Sequence, residues 1–215
     1  MLYLASQSPQ RSQLLRKAGV PFAVVPSDCD EETISAPAAQ VLALDRACGK
    51  AAGARLAPAS GNEPRVVLGA DTVVALGREV IGKPADRADA RRILGRLQGT
   101  THSVITGHCC RLVGGDGATL KEARGVAIAR VTMRSMSSDE IAAYVDSGES
   151  DGRAGAYAIQ ETADRYVVDL EGSFDTVVGL SLSTVARLWR EVADCPLPGW
   201  VPPIGPGSGA HRTVP

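Results

Sequence analysis

The sequence predicts an α/β fold, a mixed twisted sheet with flanking helices, on three observations. Short apolar or β-branched runs alternate along the chain with segments whose apolar residues recur at helical spacing. One run, Val66-Val67-Leu68-Gly69-Ala70, is apolar throughout, as a strand covered on both faces must be. Two extended runs flank Gly114-Gly115-Asp116-Gly117, a turn sequence that adds an antiparallel hairpin.

Taken in order, residues 2–5 read as a short strand and 9–18 as a helix, because Ser8 is a good N-cap and Pro9 suits the first helical position. Residues 20–25 form a second strand. A long helix is expected over 37–55, with Val41, Leu44, Cys48 and Ala51 turned inward. Residues 58–64 are a loop. The apolar run 66–70 is a buried strand that delivers Asp71 at its tip, and a further extended piece continues to Ile81. Residues 86–98 carry Ala90, Ile93, Leu94 and Leu97 on one stripe, with Gly99 just past the helix end. The hairpin pairs 102–113 with 120–133. Ser137 or Ser138 caps the next helix, 139–147, with Ile141, Tyr144 and Val145 inward. Residues 166–170 are a strand and 179–193 a final amphipathic helix. One domain therefore spans 1–193, and 194–215, rich in proline and glycine without apolar periodicity, is expected as a disordered or loosely attached tail.

A chain of 215 residues is long enough to bury a substantial core, and 44% hydrophobic with 22% charged residues is the balance of a globular protein. The net charge of −1 gives no general attraction for nucleic acid or anionic lipid, so phosphate binding must come from a few placed groups. With 4% aromatic residues there is no basic, aromatic stripe of the kind that binds RNA or DNA. The cysteines Cys29, Cys48, Cys109, Cys110 and Cys195 are odd in number and lack CxxC spacing, which predicts reduced thiols in a cytoplasmic protein and argues against zinc. No stretch approaches the roughly 20 apolar residues of a membrane span.

Four groups of residues could carry chemistry. Ser6-Gln7-Ser8-Pro9-Gln10-Arg11 starts a helix directly off a strand, which presents free backbone N–H groups and the positive helix end to an anion, with Arg11 as a phosphate clamp. Its plainer reading is a capped helix with a solvated arginine. Gly69-Ala70-Asp71-Thr72 places a carboxylate where ligands of α/β sheets gather, suited to a metal or a water, or else to capping its own turn. In Gly82-Lys83-Pro84 the proline holds Lys83 extended and so aims its ammonium. Residues 149–160 gather Glu149, Asp151, Arg153 and Gln160 around small residues, as a pocket wall or as ordinary packing. The acidic set Asp28, Asp30, Glu31 and Glu32 reads as a solvated loop able to lend Mg²⁺ a carboxylate. His102 and His108 suit the core or the surface better than a metal.

In their order these blocks resemble the Maf family: LASQSPQRSQLL, VLGADTVV, IGKPAD, HSVITG, GRAGAYAIQ and GSFDTVVGLSL, over residues 2–190. The resemblance implies a fold related to the inosine triphosphate pyrophosphatases, with two lobes around a cleft, commonly as a homodimer. It implies hydrolysis of a nucleoside triphosphate to monophosphate and pyrophosphate with Mg²⁺ or Mn²⁺. Carried over by position, Ser8, Arg11, Arg46, Lys83 and Arg153 contact substrate, Gln160 lies by the base, Asp71 is metal ligand or general base, and Asp30 or Glu31 supplies a second carboxylate to the metal.

The chain departs from the family pattern at Gln10, where a second arginine is usual. Arg46, with Lys50 one turn later, stands for a helix lysine, and Arg153 for another. Asp71-Thr72 and Ala154-Gly155-Ala156-Tyr157 with Gln160 look like the branch acting on dTTP and UTP. The alternatives are the 7-methyl-GTP branch and a non-catalytic nucleotide-binding regulator of cell division.

Overall fold

In a computed structural model of the chain, which describes residues 1–58, 63–159 and 165–202, strands β1 (Leu2–Leu4) and β2 (Phe22–Val24) are parallel, joined through helix α1 (Pro9–Lys17). Helix α2 (Ala39–Ala52) follows, after a 3-10 turn at Glu31–Thr33. Strand β3 (Arg65–Leu76) lies parallel to β1 and turns back into β4 (Glu79–Ile81), which pairs with it antiparallel. Then come α3 (Arg87–Leu97), β5 (Thr101–Val113), β6 (Thr119–Met133), α4 (Ser138–Asp146), β7 (Val167–Glu171), α5 (Phe174–Val178) and α6 (Leu182–Ala193). Among the described residues the sheet has seven strands, in the order β2-β1-β3-β5-β6-β7, with β4 on β3. The mixed α/β class expected from the sequence is the one observed.

By contact density the described chain divides into two compact units. The first holds Met1–Asp71, Thr106–Ala127 and the described residues from Gly179 onward; the second holds Thr72–Ile105 and Ile128–Val178. The first unit's core gathers Ala5, Val25, Ala47, Ala51, Val67, Cys109 and Val113. The second unit's core includes Val74, Ile93, Leu94, Leu97, Val131, Met133, Tyr144 and Tyr166. No described helix is long and apolar enough to cross a membrane.

Local chemistry explains most of the elements. Ser8 caps α1 with Pro9 at its first position, and Arg16 and Lys17 in the last turn complement the negative helix end. Asp86 caps α3, which buries Ala90, Ile93, Leu94 and Leu97, the predicted stripe. Ser137, not Ser138, caps α4, in a reciprocal pair with Glu140. The residues from Asp194 to 202 are not detached, since Leu197 is buried and Gly199 lies against Gly19.

Three expectations change. Asp71 is inside a strand and not at its tip, because Thr72-Val73-Val74 continue the β-branched run through to Leu76. Helix α2 is rotated from the predicted face: it buries Leu42, Ala43, Ala47 and Ala51, while Val41 is 46% exposed. The reason is space. A Cβ on Gly69 would stand 2.1 Å from the Ala47 carbonyl oxygen, and one on Gly107 2.3 Å from that of Ala43, so the helix backbone lies directly on two glycines and presents alanines to them. The five-residue helix α5 was also not foreseen, being too short for a periodic signal.

Candidate active site

In the first unit, register brings the two leading motifs together. β1 and β3 are parallel with Leu4 beside Leu68, and the Ala5 N–H donates to the Leu68 carbonyl. The chain therefore leaves β1 for the amino end of α1 at the level where β3 reaches Asp71.

Ser8 Oγ accepts from the Arg11 N–H at 3.5 Å and donates to Gln10 Oε1 at 3.0 Å. Gln10 thus serves the helix start. Arg11 is 8% exposed, and its Nε donates to the Gly179 carbonyl at 2.8 Å while Nη1 donates to Ser6 Oγ at 2.9 Å. These bonds fix the guanidinium at the mouth of the helix. Burial lowers its pKa, and the nearby carboxylates Asp71 and Glu31 oppose that shift.

Asp71 is 6% exposed, and its Oδ1 accepts from Lys50 Nζ at 2.6 Å. The same ammonium pairs with Glu31. One cation thus holds two carboxylates that come from a 3-10 turn and from the centre of β3. Asp71 Oδ2 is buried and has no hydrogen-bond partner among the described residues. A buried carboxylate oxygen left unpaired is costly, and a ligand that supplies its partner recovers that cost.

Lys50 is the residue sequence reasoning undervalued, since the helix cation was assigned to Arg46. Lys50 next to the alanine face of α2 was the available signal: where Ala47 and Ala51 meet Gly69, a neighbouring side chain is brought onto β3. Arg46, one turn earlier, is half-buried with its Nε unpartnered among the described residues. Of the two carboxylates left open after β2, Glu31 faces Lys50, whereas Asp30 is exposed and accepts from the Glu32 N–H to cap the turn.

Two carboxylates gathered about a cation, one with an unsatisfied oxygen, are a donor set of the kind hard divalent cations take. Asp71 and Glu31 therefore fit the donor set of a hard divalent cation.

In the second unit, the Gly155 N–H donates to the Gly82 carbonyl at 3.2 Å, so the segments bearing Lys83 and Arg153 are neighbours. Lys83 is exposed and Arg153 half-buried. Gln160 lies outside the described residues.

The two discounted histidines are buried. His102 Nε2 is 2.7 Å from the Tyr157 hydroxyl in the second unit, and burial lowers its pKa from 6.5 to about 4. In the first unit His108 Nε2 accepts from the Ser181 N–H at 2.9 Å, the residue that caps α6 two positions after the Arg11 acceptor Gly179. Burial, and secondarily the positive charge of Arg11, lower the His108 pKa from 6.5 to about 3. Both rings take a proton near 6.5 when unfolded and only at lower pH when folded. Below 6.5 the unfolded chain binds more protons, so stability falls as pH drops toward about 4 for His102 and about 3 for His108. Each contributes a slope of up to roughly 1.4 kcal/mol per pH unit. Urea midpoints should fall between pH 7 and pH 5, and less steeply in His102→Gln; parallel slopes for variant and parent would refute this assignment.

A family profile described as "Maf-like protein" matches residues 1–192. The dTTP/UTP pyrophosphatase of Anaeromyxobacter sp. (strain Fw109-5) is 42% identical over 208 residues, covering 97% of this chain and 96% of that protein. That of Anaeromyxobacter dehalogenans (strain 2CP-C) is 42% identical over 202 residues, covering 94% and 98%. Among solved structures, a nucleoside-triphosphatase / dITP/XTP pyrophosphatase from Mycobacterium abscessus aligns over 61% of this chain and 73% of its own, at 16% identity and a TM-score of 0.35.

Proposed function

Because the chain belongs to the Maf family, we propose that it is a nucleoside triphosphate pyrophosphatase that hydrolyses dTTP and UTP to the monophosphate and pyrophosphate. The relatives named for that activity, at 42% identity over nearly the full chain, support the substrate. The observation that carries the chemistry is Lys50 clamping Asp71 and Glu31 beside the buried Arg11 at the start of α1.

A triphosphate carries about four negative charges near neutral pH, and stabilising the charge that develops on its oxygens is the main catalytic demand. The N–H groups at the amino end of α1 and the Arg11 guanidinium supply fixed positive ends for phosphate oxygens. Glu31 and Asp71 would hold the divalent cation. When bound, that ion neutralises phosphate charge and polarises the phosphorus–oxygen bonds. Asp71 divides its duties: Lys50 fixes Oδ1, which leaves Oδ2 to face the ion or to orient the attacking water. Water adds to the α-phosphorus, the bond from that phosphorus to the bridging oxygen breaks, and pyrophosphate leaves with the electron pair. On the resemblance, Lys83 is assigned to phosphate, Arg153 to substrate binding and Gln160 to the base, and the protein acts in the cytoplasm as a homodimer.

The test is a panel of nucleoside triphosphates with Mg²⁺ or Mn²⁺, following pyrophosphate and inorganic phosphate separately. Pyrophosphate should appear, fastest from dTTP and UTP. Release of inorganic phosphate alone, or a preference for 7-methyl-GTP, would overturn the reaction or the base assignment respectively.

A further inference from the structure

Two of the five thiols meet in the first unit, away from the carboxylates of the candidate site. Cys48 lies on the half-buried flank of α2 and Cys109 is fully buried on β5. Their sulfurs and a Glu122 oxygen all lie within 4.8 Å of one another. Cys48 packs onto the core cluster that contains Cys109. The approach is built into the backbone: α2 rests on Gly107 of β5 through Ala43, and Cys48 lies five residues further along the helix and Cys109 two residues further along the strand.

We propose that Cys48 and Cys109 are an oxidant-reactive dithiol, in which a hydroperoxide oxidises Cys48 and Cys109 then closes a disulfide between α2 and β5. In the first step the Cys48 thiolate attacks a peroxide oxygen; the S–O bond forms, the O–O bond breaks, and the departing oxygen takes up a proton. Cys48 becomes a sulfenic acid, oxidised by two electrons, and the peroxide is reduced. In the second step Cys109 Sγ attacks the Cys48 sulfur as it gives up its proton; S–S forms, S–O breaks and water leaves. With hydrogen peroxide, two thiols and one oxidant give one disulfide and two waters.

The surroundings divide the roles. Cys48 is half-buried, and its pKa is lowered, first by the hydrogen bond from Cys109, which outweighs the opposing effect of burial, and then by Arg124, with Glu122 and Asp45 also opposing. The same bond and burial push Cys109 upward. A partly exposed thiol of lowered pKa beside a fully buried one is the arrangement of an attacking and a resolving cysteine. The third neighbour does not point to a metal. Glu122 Oε1 already accepts from Arg124 Nε at 2.6 Å, and Oε2 pairs with Arg111 Nε at 3.0 Å, so a cation would have to displace two guanidiniums.

The experiment uses the full chain carrying Cys195→Ser, which removes the exposed thiol and with it cross-linking between molecules. The folded protein is treated with hydrogen peroxide, denatured in N-ethylmaleimide, and digested for mass spectrometry. The expected product is a peptide pair joined through Cys48 and Cys109, lighter by two hydrogens and reopened by dithiothreitol, with Cys29 and Cys110 still alkylated. Loss of the Cys48 thiol should run at least about ten-fold faster than loss of the Cys110 thiol. In a further Cys109→Ala background, dimedone should trap Cys48 as its sulfenic acid. The joined peptide in the parent protein decides the proposal without any change in the core. Cys48 and Cys109 both remaining alkylated, or a bridge formed by another pair, would overturn it.

Discussion

An Asp71→Asn variant is expected to lose about 10³-fold in turnover while keeping its fold. The side chain is 6% exposed and its Oδ1 takes a 2.6 Å hydrogen bond from Lys50, a bond that the asparagine carbonyl oxygen can still accept. Lys50 also keeps its charge partner Glu31. What disappears is the negative charge and the Oδ2 acceptor, the two properties needed to hold a divalent cation or orient a water. A positioned base or metal ligand contributes on the order of 10²–10⁴-fold. Pyrophosphate release checks the first half of the expectation, and circular dichroism with a thermal melt checks the second. Turnover within ten-fold of the parent would remove Asp71 from the chemistry.

Lys50→Met should act on stability as well as activity, which separates it from the first variant. The ammonium stands between Glu31 and Asp71, and both carboxylates are largely shielded from water. Without it, two like charges face one another and lose the ammonium that both contact, leaving Arg11 as a more distant cation, and breaking a buried pair in this way costs about 3 kcal/mol. A divalent cation that binds the two carboxylates in the folded state only would restore part of that loss by mass action. Urea denaturation with and without Mg²⁺ should therefore show a larger Mg²⁺ effect in Lys50→Met than in the parent. Turnover should fall at least about 100-fold, because Asp71 loses the contact that orients it. Equal midpoints for variant and parent in the absence of Mg²⁺ would mean that the ammonium does not hold this pair.

What the sequence made legible was local. The start of α1 follows from Ser8-Pro9, the stripe on α3 from four apolar residues at helical spacing, and the start of α4 from the serine pair Ser137-Ser138, of which Ser137 is the cap. Each depends on neighbours within a few positions, where propensity and capping act. The assembly of the site depends on distant partners instead. Lys50 reaches Asp71 across 21 positions, and it does so because Gly69 admits the backbone of α2. A stripe of alanines facing glycines has little hydrophobic signal, so reading the helix by its largest apolar residues selected Val41 and Leu44 over Ala43 and Ala47. Arg46 and Lys50 are alike in charge, and only the rotation of the helix distinguishes them. The same holds for Asp30 and Glu31: adjacent in sequence, one caps its own turn and the other meets Lys50. Cys48 and Cys109, 61 positions apart in the chain (109 minus 48), carry no mark of their meeting in the sequence at all.

If the first unit's carboxylates and helix end direct water to the α-phosphorus of a nucleoside triphosphate, the oxygen that water supplies must end in the monophosphate. Running the dTTP reaction in ¹⁸O-labelled water and recovering both products tests it most directly. The label is expected in the thymidine monophosphate, with the pyrophosphate unlabelled; label in the pyrophosphate, or in inorganic phosphate, would place the attack on another phosphorus.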